Sequence, residues 1–168
     1  RRGRDEGLGN GLRQAGDAGR TVTHFLLSDV HLYPENRPHP GRERFLRFLN
    51  GLAGENPGTL WILGDLFDYW FEYATVMPAG YGRVLRGLRN LADRGWKTVF
   101  MPGNHDWWVG DSFQADSGME IRRESPLRVE LDGKRAVLAH GDGLGRGDRG
   151  YRAIRPVLRA GVSSRLFS

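Results

Sequence analysis

The chain has 168 residues, of which 39% are hydrophobic, and this is enough for one globular domain with a buried core. It contains no cysteine, which excludes a disulfide-stabilised scaffold. The formal net charge of +5 is unevenly placed, since residues 146–168 hold six arginines and one acid. Residues 1–20 are rich in glycine and arginine and lack the apolar stretch of a signal peptide or membrane span. We expect a disordered tail over 1–20 and a single domain over 21–168.

The predicted elements alternate between strands and helices. Apolar, β-branched runs that end at turn residues predict strands over 21–28, 59–63 and 97–101. Between them, apolar stripes at helical spacing predict helices over 42–53 and 81–93. The Asp132-Gly133 pair predicts a hairpin between residues 127–131 and 134–139. This order indicates an α/β fold in which helices cover a sheet.

A polar motif directly follows each of four apolar runs, and in chain order the motifs are Asp29-Val-His31, Gly64-Asp65, Gly103-Asn-His-Asp106 and His140-Gly-Asp142. Open α/β sheets bind ligands at the carboxyl ends of their strands, where we expect all four motifs to lie. Because side chains alternate along an extended strand, Asp29 and His31 should point to the same side and reach one ion.

These motifs supply carboxylate, amide and imidazole groups, which suit Mn²⁺, Mg²⁺ or Zn²⁺. Each motif alone is common in loops and turns, and only their joint order predicts a two-metal phosphoesterase site.

From about Thr23 to its end, the chain resembles the calcineurin-like metallophosphoesterases. The sequences of residues 64–70 (GDLFDYW) and 140–151 (HGDGLGRGDRGY) narrow the resemblance to the UDP-2,3-diacylglucosamine hydrolases of lipid A biosynthesis. The resemblance implies a metallophosphoesterase-type αββα sandwich. It also implies a hydrolase that cleaves the pyrophosphate bond of a UDP-linked glycolipid with two divalent ions, Mn²⁺ or alternatively Mg²⁺ or Zn²⁺.

The same resemblance implies which residues hold the ions. The first ion would be bound by Asp29, His31 and Asp65, and the second by Asp65, Asn104 and His140. Asp65 would then bridge the two ions.

His105 follows a metal-ligating asparagine, so we expect it to act as a catalytic acid or as a hydrogen-bond donor to the phosphoryl group. Asp106 is expected to take part in catalysis by orienting the His105 ring. The resemblance implies that Asp148 and Tyr151 contact the sugar and phosphate groups of the substrate. Asn104 and His105 are also expected to contact the substrate.

The chain departs from the family pattern at its end. Metallophosphoesterases close with a Gly-His-x-His motif that completes the two metal shells, and no histidine follows His140 here. We therefore expect the chain to cover the front part of such a domain, incomplete at its C-terminus, and to bind metal weakly by itself.

Residues 146–168 place Arg152, Arg155 and Arg159 near one face of a possible helix and apolar residues near another. This pattern suits a basic amphipathic segment that caps the site and contacts an anionic membrane, although an ordinary solvated face is the alternative. We expect a cytoplasmic protein, peripheral on the inner membrane face, with no nucleic-acid partner.

Two other functions remain open at this point. A phosphodiesterase or nuclease of the same fold would favour a basic groove with stacking aromatic residues. The missing closing histidines favour a non-catalytic interaction module. The intact candidate ligands argue against it, namely Asp29, His31, Asp65, Asn104 and His140. Trp70, Trp107 and Trp108 either pack beneath the loops or flank an acyl or uridine group.

Overall fold

In the computed structural model, the described part of the chain comprises residues 22–72 and 76–143, together with Ala153 and Pro156. The elements are β1 (His24–Leu27), α1 (Pro40–Leu52), β2 (Thr59–Leu63), α2 (Gly82–Asp93), β3 (Lys97–Met101), α3 (Asp111–Ser117), β4 (Glu120–Ile121), β5 (Leu127–Leu131) and β6 (Lys134–Leu138). They confirm the predicted α/β class. The predicted tail over 1–20 lies outside the described residues, as does the 146–168 segment apart from Ala153 and Pro156.

The strands form two sheets. β1 to β4 make a parallel sheet in the order β1-β2-β3-β4, and β5 pairs with β6 in an antiparallel hairpin. α1 and α2 connect the first three strands, as the crossover between parallel strands requires. Within the described residues, none of the helices is both long and apolar enough to cross a membrane.

The hairpin corrects one expectation, that all four motifs follow strands of one open sheet. β6, which leads to His140, is not part of the parallel sheet. The reason is the turn at Asp132 and Gly133, whose φ angles of 49° and 74° fold β6 directly back onto β5. The His140 motif therefore reaches the site from a second layer.

Alternation along β2 and β3 builds the layers. Leu60, Ile62 and Phe100 belong to the core cluster shared with α1, α2 and α3, whereas Trp61 and Met101 belong to a second cluster. The hairpin contributes to that second cluster through Leu138 and the partly buried residues Leu127, Val129 and Leu131. Both faces of the central sheet are thus covered, by helices on one side and by the hairpin on the other.

Close approach of α1 and α2 fixes the helical layer. A side chain at Gly87 would place its Cβ 2.9 Å from Leu49 Cδ1, so glycine allows the two helices to pack together here. α2 buries Val84, Leu85, Leu88 and Leu91, as its sequence period predicts.

Candidate metal centre

The loops after β1, β2, β3 and β6 bring the predicted metal ligands together. Two groups of side chains have ligand atoms that all lie within 4.8 Å of one another: His31, Asp65 and His105 form one, and Asp29, Asp65 and His140 form the other. Asp65 belongs to both groups and is only 3% exposed. A carboxylate between two clusters is the arrangement that a pair of divalent ions requires.

The distances around Asp65 define the shape of the centre. His140 Nε2 lies 3.3 Å from Asp65 Oδ2 and 3.2 Å from Asn104 Oδ1. His31 Nε2 lies 3.8 Å from Asp65 Oδ2 and 4.0 Å from Asp29 Oδ1. The five side chains thus present three kinds of donor atom, carboxylate oxygen, amide oxygen and imidazole nitrogen, to one small volume.

The backbone that presents these side chains is not extended, so the expected reason for the proximity of Asp29 and His31 is wrong. Their φ angles are 56° and 48°, and that of Asp65 is 54°, all in the left-handed region. Aspartate tolerates this conformation better than most residues, yet each such residue costs on the order of 1–3 kcal/mol. Hydrogen bonds between the two loops hold it, from the Asp29 N–H to Gly64 O (3.1 Å) and from the His31 N–H to Asp65 O (3.0 Å).

Two glycines allow the loops to approach. A Cβ at Gly64, where φ is 86°, would lie 2.6 Å from His140 Nδ1, and a Cβ at Gly103 would lie 2.1 Å from Asp65 Oδ1. Since neither position has room for a side chain, the glycines before Asp65 and Asn104 are required by contact within the site.

Backbone carbonyls orient two of the imidazoles. His140 Nδ1 lies 2.8 Å from Leu63 O, and His105 Nδ1 lies 2.6 Å from Asp68 O. A ring nitrogen must carry its proton to donate to a carbonyl, so Nε2 of each ring is the atom left to face the site. Sequence reasoning missed both carbonyls, because any residue type supplies one.

The centre attracts positive charge. A hydrogen bond with the Asp65 carboxylate raises the pKa of His140 to about 9, against the opposing effect of burial. Burial acts to raise the pKa of Asp65, but hydrogen bonds from His140 and from the His105 N–H outweigh it and lower that pKa. Asp65 is therefore a stable carboxylate next to groups that neutralise it.

The position of Asp106 corrects another expectation, that it orients the His105 ring. Its side chain is fully buried and accepts hydrogen bonds from the N–H groups of Asp65 (3.2 Å), Leu66 (2.8 Å), Phe67 (3.3 Å) and Gly103 (2.8 Å). The His105 ring instead bonds to Asp68 O. Burial raises the pKa of Asp106 to about 6. Asp106 thus ties the Asp65 loop to the Gly103 loop.

The remaining predicted site residues divide by location. Asp148 and Tyr151 lie outside the described residues. Trp70 is fully buried and donates through Nε1 to Glu72 Oε1 at 2.9 Å, whereas Trp107 and Trp108 are partly buried.

Glu72 was not singled out from the sequence. Its carboxylate also accepts from the N–H groups of Ser112 (3.1 Å) and Phe113 (3.0 Å), at the start of α3. An acidic residue two positions after Trp70 is the signal that the sequence offers for it.

Comparison with known proteins identifies the family. The family model of the calcineurin-like phosphoesterases matches residues 24–156. The chain is 36% identical over 120 residues to a UDP-2,3-diacylglucosamine hydrolase of Porphyromonas gingivalis, a match that covers 70% of this chain and 45% of that protein. It is 39% identical over 142 residues to a UDP-2,3-diacylglucosamine hydrolase of Azotobacter vinelandii, covering 84% of this chain and 57% of that protein.

The chain therefore spans about half the length of these curated relatives. Among solved structures, a protein of unknown function from Aquifex aeolicus superposes with a TM-score of 0.49 and 20% sequence identity, over 87% of this chain and 75% of that one.

Proposed function

Because the chain belongs to the calcineurin-like phosphoesterase family, as its motifs predict, we propose that it carries the metal centre of a hydrolase that cleaves the pyrophosphate bond of UDP-2,3-diacylglucosamine. The observation that carries the proposal is the pair of ligand clusters that share the buried carboxylate of Asp65. The names of the relatives support the substrate, since both are UDP-2,3-diacylglucosamine hydrolases.

The donor set fits two divalent ions. Carboxylate, amide and imidazole ligands suit Mn²⁺, with Mg²⁺ and Zn²⁺ as alternatives. Asp29, His31 and Asp65 would hold one ion, and Asp65, Asn104 and His140 the other. When bound, such ions activate a water nucleophile and neutralise charge on the transferring phosphoryl group.

The chain's own residues supply orientation and a proton. In our proposal the fixed His105 Nε2 faces the phosphoryl group from beside Asn104. Because Nδ1 already donates to Asp68 O, Nε2 can donate a proton only when the ring is an imidazolium. The leaving phosphate would then receive that proton or a hydrogen bond from it. Asp106 does not contact the substrate in this proposal, and it acts by holding the loops that carry Asp65 and Gly103.

Residues 146–168 would form the membrane side of the site. Their six arginines and adjacent apolar residues suit an anionic surface, from which a lipid-linked substrate must be drawn. We place the protein on the cytoplasmic face of the inner membrane for this reason, with the glycolipid and no nucleic acid as its ligand.

The test combines metal content with hydrolysis. Asp65→Ala should lose both ions and His31→Ala mainly one, measured by elemental analysis, with the exposed Asp116→Ala as the matched control. The full-length wild-type protein, loaded with Mn²⁺, should release UMP from UDP-2,3-diacylglucosamine. Equal metal loss in Asp65→Ala and His31→Ala would contradict the bridging role of Asp65. Faster hydrolysis of single-stranded nucleic acid than of the glycolipid would show that the proposed substrate is wrong and favour a nuclease.

A further inference from the structure

A cavity of about 430 Å³, lined by tyrosines, prolines and a few charged residues, lies next to the metal centre and has no part in the chemistry described so far. Three segments line it: the loop after β1 with Tyr33 and Arg37, the loop after β2 with Asp68 and Tyr69, and the chain before α2 with Pro78 and Tyr81. Its volume is in the range of small-molecule sites, which is about 300–1,000 Å³.

The cavity adjoins the reacting groups through the backbone. Tyr33 follows the metal-ligating His31 by two residues, so their Cα atoms are at most about 7 Å apart. Asp68 lines the cavity, and its carbonyl oxygen accepts from His105 Nδ1 at 2.6 Å. One ligand molecule could therefore place one of its groups in the cavity and its phosphate beside His105.

Hydrogen bonds within the chain hold the walls of the cavity in place. The buried Arg42 guanidinium donates to the carbonyls of Tyr33 (3.3 Å), Pro34 (3.0 Å) and Arg37 (3.2 Å). On the other side, the Glu35 N–H donates to Gly80 O at 2.7 Å. A loop that is held at both ends loses less conformational entropy when a ligand binds.

The lining side chains suit a flat ligand with polar groups at its edge. Tyr69 is 58% exposed and packs against Trp108 with ring centroids 6.4 Å apart. The Arg37 guanidinium lies 3.9 Å over the Tyr33 ring, which fixes a cation with hydrogen-bond donors at the wall. Aromatic faces stack on a nucleobase, guanidinium donors match its carbonyl oxygens, and a carboxylate such as Asp68 binds ribose hydroxyls.

We propose that this cavity is the nucleoside subsite, in which Tyr69 stacks on the pyrimidine base, Arg37 faces its carbonyl oxygens and Asp68 accepts hydrogen bonds from the ribose. The assignment rests on the proposed function, because it takes the nucleotide half of the substrate as the ligand. It makes Tyr69, Arg37 and Asp68 the residues that distinguish a nucleotide-linked substrate from a simple phosphodiester.

Two probes test the subsite, uridine and UMP. Uridine binding is followed by saturation-transfer NMR, which requires no turnover, and UMP binding by its inhibition constant. Tyr69→Ala should weaken both by about 5- to 150-fold, as expected for the loss of a stacked base. The inhibition constant of inorganic phosphate should change less than twofold. Val137→Ala, which also truncates an exposed apolar side chain, is the matched control and should leave the affinity for uridine unchanged.

Asp68→Asn changes only the side chain that we assign to the ribose, because the backbone carbonyl that holds His105 stays in place. The substitution should weaken the binding of UMP more than that of 2′-deoxy-UMP, with Asp116→Asn as its control. If the protein hydrolyses the glycolipid but wild type and Tyr69→Ala bind uridine with equal affinity, the subsite is wrong and the proposed function stands. Tyr69-dependent uridine binding without any hydrolysis would support the subsite and overturn the function.

Discussion

Replacing Asp106 with asparagine should destabilise the fold, because two of the four N–H donors that its carboxylate accepts would then face an amide N–H₂ group. One oxygen accepts from Asp65 and Gly103, and the other from Leu66 and Phe67. An asparagine keeps only one of these oxygens.

The size of the effect follows from the number of donors lost. A buried donor without an acceptor costs about 1–3 kcal/mol, so two cost about 2–6 kcal/mol. The neutral amide also avoids the cost of a buried charge, which raises the pKa of Asp106 to about 6. We therefore expect the lower half of the range, about 2–4 kcal/mol, out of the 5–15 kcal/mol typical of a domain.

Urea unfolding measures this loss directly. The midpoint for Asp106→Asn should fall by about 1–2 M with an unchanged slope, since the surface exposed on unfolding is the same. Asp116→Asn, at an exposed position of α3, should leave the midpoint in place. An unchanged midpoint for Asp106→Asn together with a large loss of turnover would refute the structural role and restore the catalytic one.

Three further predictions concern the acid, a scaffold contact and the membrane segment. His105→Ala should lower turnover by about 10²–10⁴-fold while metal content is retained, and a proportional loss of metal would make His105 a ligand instead. Glu72→Ala leaves three donors without an acceptor and should lower the unfolding midpoint, whereas the exposed Glu55→Ala should not; equal midpoints would show that the α3 contact adds no stability. Replacing Arg152, Arg155 and Arg159 with glutamate should reduce binding to anionic vesicles and the rate of glycolipid hydrolysis, but not the rate of hydrolysis of a small chromogenic phosphodiester. Equal loss of activity on both substrates would contradict a membrane role.

The strands were the most predictable part of the fold. The bounds of β2 and β3, 59–63 and 97–101, agree with the sequence because each apolar run stops at glycine or proline. The hairpin is fixed by Asp132-Gly133. By contrast, α3 and β4 have seven and two residues, too few to show a period, and α3 depends on the distant Glu72 carboxylate. Their positions are set by tertiary contacts that the local sequence does not encode.

The site was predictable in its residue types and not in its backbone. Donor residues after apolar strands indicate where Asp29, His31 and Asp65 meet, because strand ends converge at one edge of a sheet. The left-handed conformation of all three residues arises from pairing between their loops, which joins residues 34 and 35 positions apart in the chain. No pattern within a single loop specifies such a pairing.

Asp106 helps the fold to hold Asp65 in its left-handed conformation. Its carboxylate bonds the N–H of Asp65, the carboxylate shared by both clusters, and the N–H of Gly103, which precedes Asn104. Left-handed residues persist only where surrounding contacts over-determine them, and four charge-assisted hydrogen bonds at a fully buried position are such contacts. Asp106 thus helps to position ligands of both clusters, so loosening it should weaken both clusters together although Asp106 belongs to neither.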